Sequence, residues 1–117
     1  MSQQKPIIRT LGLAALFGAL FTAGIAHADE VEVDQKNKTF VLDGNKVEAL
    51  TIKIGDTIRF KNEDPFFHNI FSLSDLKTFD LGSFPKGQSK TVTFDKPGVI
   101  EVECAIHPEM FMEVTVE

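Results

Sequence analysis

From residue 30 onward the apolar positions recur with a period of two. Phe40 and Leu42 share one parity against Thr39 and Val41. Ile52 and Ile54 alternate with Thr51 and Lys53, and Ile58 and Phe60 with Thr57, Arg59 and Lys61. Val92 and Phe94 alternate with Thr91 and Thr93, and Ile100, Val102 and Cys104 with Glu101 and Glu103. Val114 and Val116 alternate with Glu113, Thr115 and Glu117. Successive side chains of a strand point to opposite faces, so this period with one wet face predicts antiparallel strands. Asp43-Gly44-Asn45, Gly55-Asp56, Asn62-Glu63-Asp64-Pro65, Pro85-Lys86-Gly87 and Lys96-Pro97-Gly98 break the runs with turn-forming residues. The pattern places strands near 30–34, 38–43, 47–54, 56–62, 68–73, 89–95, 98–104 and 110–117. About eight short strands at this spacing predict an all-β sandwich or barrel. Residues 74–88 are the least regular, and Ser74-Asp75-Leu76-Lys77 reads as a helical turn capped by Ser74. There is no repeat or heptad, and no room for a second domain.

The first 28 residues follow a different rule. Lys5 and Arg9 form a basic segment without acidic residues, and Leu11 to Ile25 form an apolar run. That run is 15 residues long, where a membrane-spanning helix needs about 20. Ala26-His27-Ala28 then supplies a small-x-small cleavage signal. Residues 1–28 therefore read as a cleaved secretory signal peptide and 29–117 as the folded domain. A retained membrane anchor fits neither the length nor the cleavage signal, and no cysteine is placed for a lipid anchor.

Cleavage after Ala28 changes the charge balance. The full chain has 12 basic and 17 acidic residues. Loss of Lys5 and Arg9 leaves ten basic ones, for a net charge of −7 on 89 residues. Such a surface argues against nucleic acid and anionic membranes as partners and suits a protein with a basic docking face. One cysteine is present. It cannot form an internal disulfide in an oxidising compartment, so a metal is the natural use for its thiolate.

Cys104-Ala-Ile-His107-Pro-Glu-Met110 offers a thiolate, an imidazole and a thioether within seven residues. Soft donors of this kind select copper among transition metals. The only other histidine after residue 28 is His68, followed by Asn69. Taken singly, each residue has an ordinary explanation: a buried Cys as a small apolar side chain, a loop His facing water, a core Met. Taken together, the one Cys and both His of the domain stand at ligand spacing. Two His, one Cys and a thioether make a poor zinc set. The parity of Cys104 turns its sulfur inward, and His107 falls in the connection to the last strand.

The stretch GVIEVECAIHPEMFMEVTVE, with its short Cys-x-x-His-Pro-x-Met loop, resembles the cupredoxins of the plastocyanin and amicyanin group. His68-Asn69 after Asn62-Glu63-Asp64-Pro65 resembles the first ligand segment of that family. The resemblance covers nearly all of residues 30–117. It implies a Greek-key β-sandwich with one type 1 copper ion held by His68, Cys104, His107 and Met110. It also implies that Asn69 ties the two ligand segments together and restrains the sulfur. Met112 is the alternative axial ligand, at the longer plastocyanin spacing. Three residues separate Met110 from Val114, as in relatives, which favours Met110. There is no Tyr or Trp, and Glu103 precedes the Cys where relatives often carry an aromatic residue or His.

These features predict a periplasmic, monomeric, non-enzymatic one-electron carrier between redox proteins. The resemblance suggests a methylamine-dehydrogenase-like donor and a c-type cytochrome as partners. Pro65, Phe66, Phe67, Pro108 and Phe111 are candidates for an apolar docking patch, with at least one of Phe66 and Phe67 in the core. Glu101, Glu103 and Glu109 are candidates for acidic steering. A copper delivery or storage module is the main alternative, although such proteins usually carry Met- or His-rich tracts. A copper enzyme domain with an open ligand position and a metal-free adhesive sandwich are further alternatives.

Overall fold

The computed structural model describes residues 28–117, so the expected leader, apart from Ala28, lies outside the described residues. The strands are β1 (Glu30–Lys36), β2 (Thr39–Leu42), β3 (Asn45–Lys46), β4 (Ala49–Ile52) and β5 (Thr57–Asn62). They continue with β6 (His68–Ser72), β7 (Phe79–Phe84), β8 (Ser89–Thr93), β9 (Gly98–Cys104) and β10 (His107–Val116). They form two five-stranded sheets, ordered β3-β2-β1-β5-β8 and β4-β10-β9-β6-β7. The all-β sandwich expectation holds.

The alternation read from sequence is the alternation of burial. Ile58 and Phe60 of β5, Ile100, Val102 and Cys104 of β9, and Met112, Val114 and Val116 of β10 all lie inside. Glu101 and Glu113 face out. Both inner faces thus supply the core, as two packed sheets require.

Several expectations need correction. The described residues form ten strands rather than about eight. The expected strand 47–54 shrinks to β4, and a separate two-residue β3 precedes it. β7 occupies part of the segment read as irregular. Its pairing with β6 shifts register between Asn69 and Phe71, so the apolar parity slips along its length, from Phe79 and Leu81 to Phe84. Two pairings, β1 with β5 and β4 with β10, are parallel. Sequence alternation is the same for either direction once one face is wet. Ser74 caps no helix, and none of the described residues is helical. A turn bonds Lys77 N–H to the Ser74 carbonyl at 3.1 Å. Its hydroxyl instead accepts the Glu101 N–H at 2.9 Å, fastening the loop after β6 to β9.

The β1–β2 hairpin closes through Asn37-Lys38, flanked by the pair Lys36↔Thr39. Both loop residues have positive φ, 55° and 58°. That is the left-handed turn whose twist suits a two-residue hairpin. Neither residue is glycine, so the turn needs outside support.

Candidate metal centre

β6 begins at His68, β9 ends at Cys104 and β10 begins at His107. β6 and β10 flank β9 in one sheet, so all three residues meet at one edge of the sandwich. Ala105 and Ile106 turn the chain between β9 and β10. His107 was expected in this connection; it is instead the first residue of β10, paired with Cys104. The register then shifts before the next pair, Phe111↔Glu103. Such a bulge re-aims side chains at a sheet rim, and Met110 lies within it.

His68, Cys104 and His107 offer three ligand atoms all within 4.8 Å of one another. Cys104 Sγ lies 3.6 Å from His68 Nδ1 and 3.5 Å from His107 Nδ1. The two imidazoles meet edge to face, with centroids 4.9 Å apart. His68 and Cys104 are buried and His107 is half-buried. The sulfur is therefore shielded while one ring reaches toward solvent.

Asn69 does what the resemblance implied, through its backbone. Its N–H donates to Cys104 Sγ at 3.4 Å, and its carbonyl accepts the Ala105 N–H at 2.9 Å. One residue thus joins the segment carrying His68 to the loop carrying the sulfur. The donated hydrogen bond also lowers the electron density on a thiolate.

Sequence reasoning missed the polar group behind His68. Asp64 is buried, and its Oδ2 lies 2.7 Å from His68 Nε2. Oδ1 accepts the Asn37 N–H at 2.7 Å, and Oδ2 accepts the Lys38 N–H at 3.1 Å. Burial pushes the Asp64 carboxyl up, but the His68 ring and the two turn N–H groups outweigh it and hold it below its ordinary value. Burial pushes the His68 ring down, against the pull of Asp64. Both shifts run toward a neutral imidazole beside an ionised carboxylate. Asn62 builds the segment between them. Its amide donates to the carbonyls of Phe66 and Phe84, and its Oδ1 accepts the Asp64 N–H. The available sequence signal was a carboxylate four residues before the histidine, inside a segment read as a turn leading into the first ligand.

Phe66 is half-buried and touches both histidines, at centroid distances of 5.4 Å to His68 and 5.1 Å to His107. Phe67 is 53% exposed. Of the two, Phe66 faces inward, as expected of one of them. Pro65, Pro108 and Phe111 are also exposed, and so is Ile106, which sequence reasoning had not included. Glu101 and Glu109 are exposed and Glu103 half-buried. Met110 and Met112 are both buried. Met112 pairs with Val102, two residues back from Cys104.

The donor set suits a soft, four-coordinate ion. Bonds of about 2.0–2.3 Å at angles near tetrahedral or trigonal put neighbouring donors roughly 3.5–3.8 Å apart. The two sulfur–nitrogen separations fall in that range. A buried thiolate with two imidazoles is the donor chemistry of blue copper rather than of a structural zinc site.

Known proteins share this fold. A structure of a reduced mutant of amicyanin superposes with a TM-score of 0.66 at 24% identity, covering 81% of this chain and 88% of the other. A Cu(I) form of another amicyanin mutant gives the same values. A Cu-containing nitrite reductase from Thermus scotoductus also scores 0.66 at 24% identity, covering 85% of this chain but 25% of that enzyme. Compared with curated proteins by sequence, the chain matches none. The model of the family described as copper binding proteins, plastocyanin/azurin family, matches residues 28–117. With that match over the whole sandwich, the chain belongs to the plastocyanin/azurin family of copper-binding proteins.

Proposed function

We propose that the protein is a one-electron carrier of the periplasm, in which His68, Cys104, His107 and Met110 would hold one copper ion. The observation that carries this reading is the shielded sulfur facing two imidazole Nδ1 atoms at 3.5–3.6 Å. Bound copper supplies a one-electron couple. The chain supplies the rest. Packing around Cys104 and His68 excludes water, and the Asn69 N–H holds the sulfur in place. His107, half-buried beside Phe66, is the ligand that offers a route to a partner. The three ligands stand at the ends of neighbouring strands of one sheet, whose pairing resists their movement when charge changes and so favours rapid transfer.

Met110 lies at the bulge next to the His107↔Cys104 pair, whereas Met112 pairs further down β9. That supports Met110 as the axial donor. The nitrite reductase resembles this chain over one quarter of its own length, so sharing this fold does not make the chain an enzyme.

Removal of residues 1–28 fits the fold at its new end. The Asp29 N–H donates to Asp56 Oδ1 at 2.9 Å, and an ammonium created there by cleavage would meet the same carboxylate. Redox proteins with a basic face, such as a c-type cytochrome or a methylamine-dehydrogenase-like donor, fit the acidic surface.

Copper-loaded protein should show an intense thiolate-to-copper visible band and narrow copper hyperfine splitting in spin resonance. Cys104→Ser should abolish both. Colour that survives in that variant removes the sulfur from the site. Rapid copper exchange without a reversible redox couple would point instead to delivery or storage.

A further inference from the structure

Among the described residues, Asp64 is the one buried carboxylate hydrogen-bonded to a proposed ligand, and the metal set does not use it. Three donors converge on its two oxygens: the Asn37 N–H, the Lys38 N–H and His68 Nε2. With the turn amides already donating, its oxygens are left to accept, so the ring nitrogen facing Oδ2 carries the proton. In a neutral imidazole the other nitrogen then has a free lone pair. That other nitrogen, Nδ1, is the one that faces Cys104 Sγ. The hydrogen bond at one ring nitrogen decides what the other can bind. The same carboxylate supports a hairpin turn whose two residues both have positive φ. Ring orientation and hairpin are thus fastened to one group.

We propose that Asp64 is a positioning residue: it fixes His68 as the Nε2–H tautomer, presents Nδ1 to the metal, and locks the ring to the Asn37–Lys38 turn. It acts through His68 and does not touch the metal. The inference rests on the copper reading for its purpose, but not for its test.

The test reads the ring tautomer by nitrogen-15 NMR of the metal-free protein, at a pH where His68 is neutral. Wild-type protein should show His68 protonated at Nε2. In Asp64→Asn the side-chain amide can donate to Nε2, so the Nδ1–H form should become populated. Asp64→Glu, which keeps an acceptor-only group, should restore the Nε2–H form. Copper affinity should fall about ten- to hundredfold in Asp64→Asn, the usual loss when the carboxylate behind a ligating histidine is removed, and recover in part in Asp64→Glu. An Nδ1–H ring in the wild type overturns the proposal even if no variant folds. So does a folded Asp64→Asn protein with an unchanged tautomer and affinity. Failure of the wild type to bind copper would sink the carrier reading while leaving the tautomer result standing.

Discussion

Met110 and Met112 are both buried, so burial does not choose between them as axial ligand. Position along the ladder supports Met110. Met112 sits opposite Val102 in regular pairing, while Met110 belongs to the bulge beside His107. Met110→Leu should keep the copper and raise the reduction potential, because a weak thioether donor is replaced by none. Met112→Leu conserves volume, so it should cost less than about 1.5 kcal/mol of stability and leave the potential nearly unchanged. Voltammetry of the two variants checks the pair, and reversed responses would move the axial role to Met112. At this scale much of the centre was legible in the sequence. A single Cys and the two His that follow residue 28, each of a type that binds soft metals, are conspicuous in a short acidic chain. Asp64 was not legible, because carboxylates are common in turns. Only the fold shows that this one is buried behind His68, with the β1–β2 hairpin wrapped over it.

The strands explain why the rest of the site was harder to read. Alternation identifies an amphipathic strand but not its partner, so parallel pairing of β1 with β5 left no mark in the pattern. β7 was obscured by its own irregularity: Gly82, at φ 71°, interrupts it where the inward parity slips. The parallel pair carries a testable electrostatic feature. Asp34 of β1 lies beside Lys61 of β5, but the Lys61 ammonium pairs with Glu63 at 3.3 Å. Asp34 Oδ1 is buried without a hydrogen bond. Burial first, and then contact with Glu32, raises the Asp34 carboxyl from 3.8 to about 6. A raised carboxyl makes ionisation costly in the folded state. The cost is absent below pH 3.8, grows as pH rises toward about 6, and persists above it. A shift of this size corresponds to at most ~3 kcal/mol, and water reaching a half-buried side chain reduces it to about 1 kcal/mol. Asp34→Asn should therefore stabilise the protein by about 1 kcal/mol at pH 7 and by nothing near pH 3.5. Urea unfolding across that range measures the difference, and a gain independent of pH would assign it to something other than ionisation.

For the molecule as a whole, the question is what brings a partner to the His107 edge. Two features compete there. Exposed Phe67, Ile106 and Phe111 offer apolar contact, and Glu101 and Glu109 add negative charge to a domain that carries −7 once residues 1–28 are removed. The two act at different ranges. Apolar contact stabilises a complex only after the surfaces meet, whereas charge acts across roughly 30 Å at 10 mM salt and about 8 Å at 150 mM. Electrostatic steering therefore belongs to the encounter, and the apolar rim to the docked complex. With a basic c-type cytochrome as oxidant, the second-order rate of the reduced protein should fall at least several-fold between those salt concentrations. With a small uncharged oxidant it should hardly change, because no charged surface needs to be guided. Stopped-flow measurement of both reactions separates the terms. A rate that stays flat with the cytochrome would leave the apolar rim as the main determinant of docking, and Phe67→Ser should then slow transfer at every salt concentration.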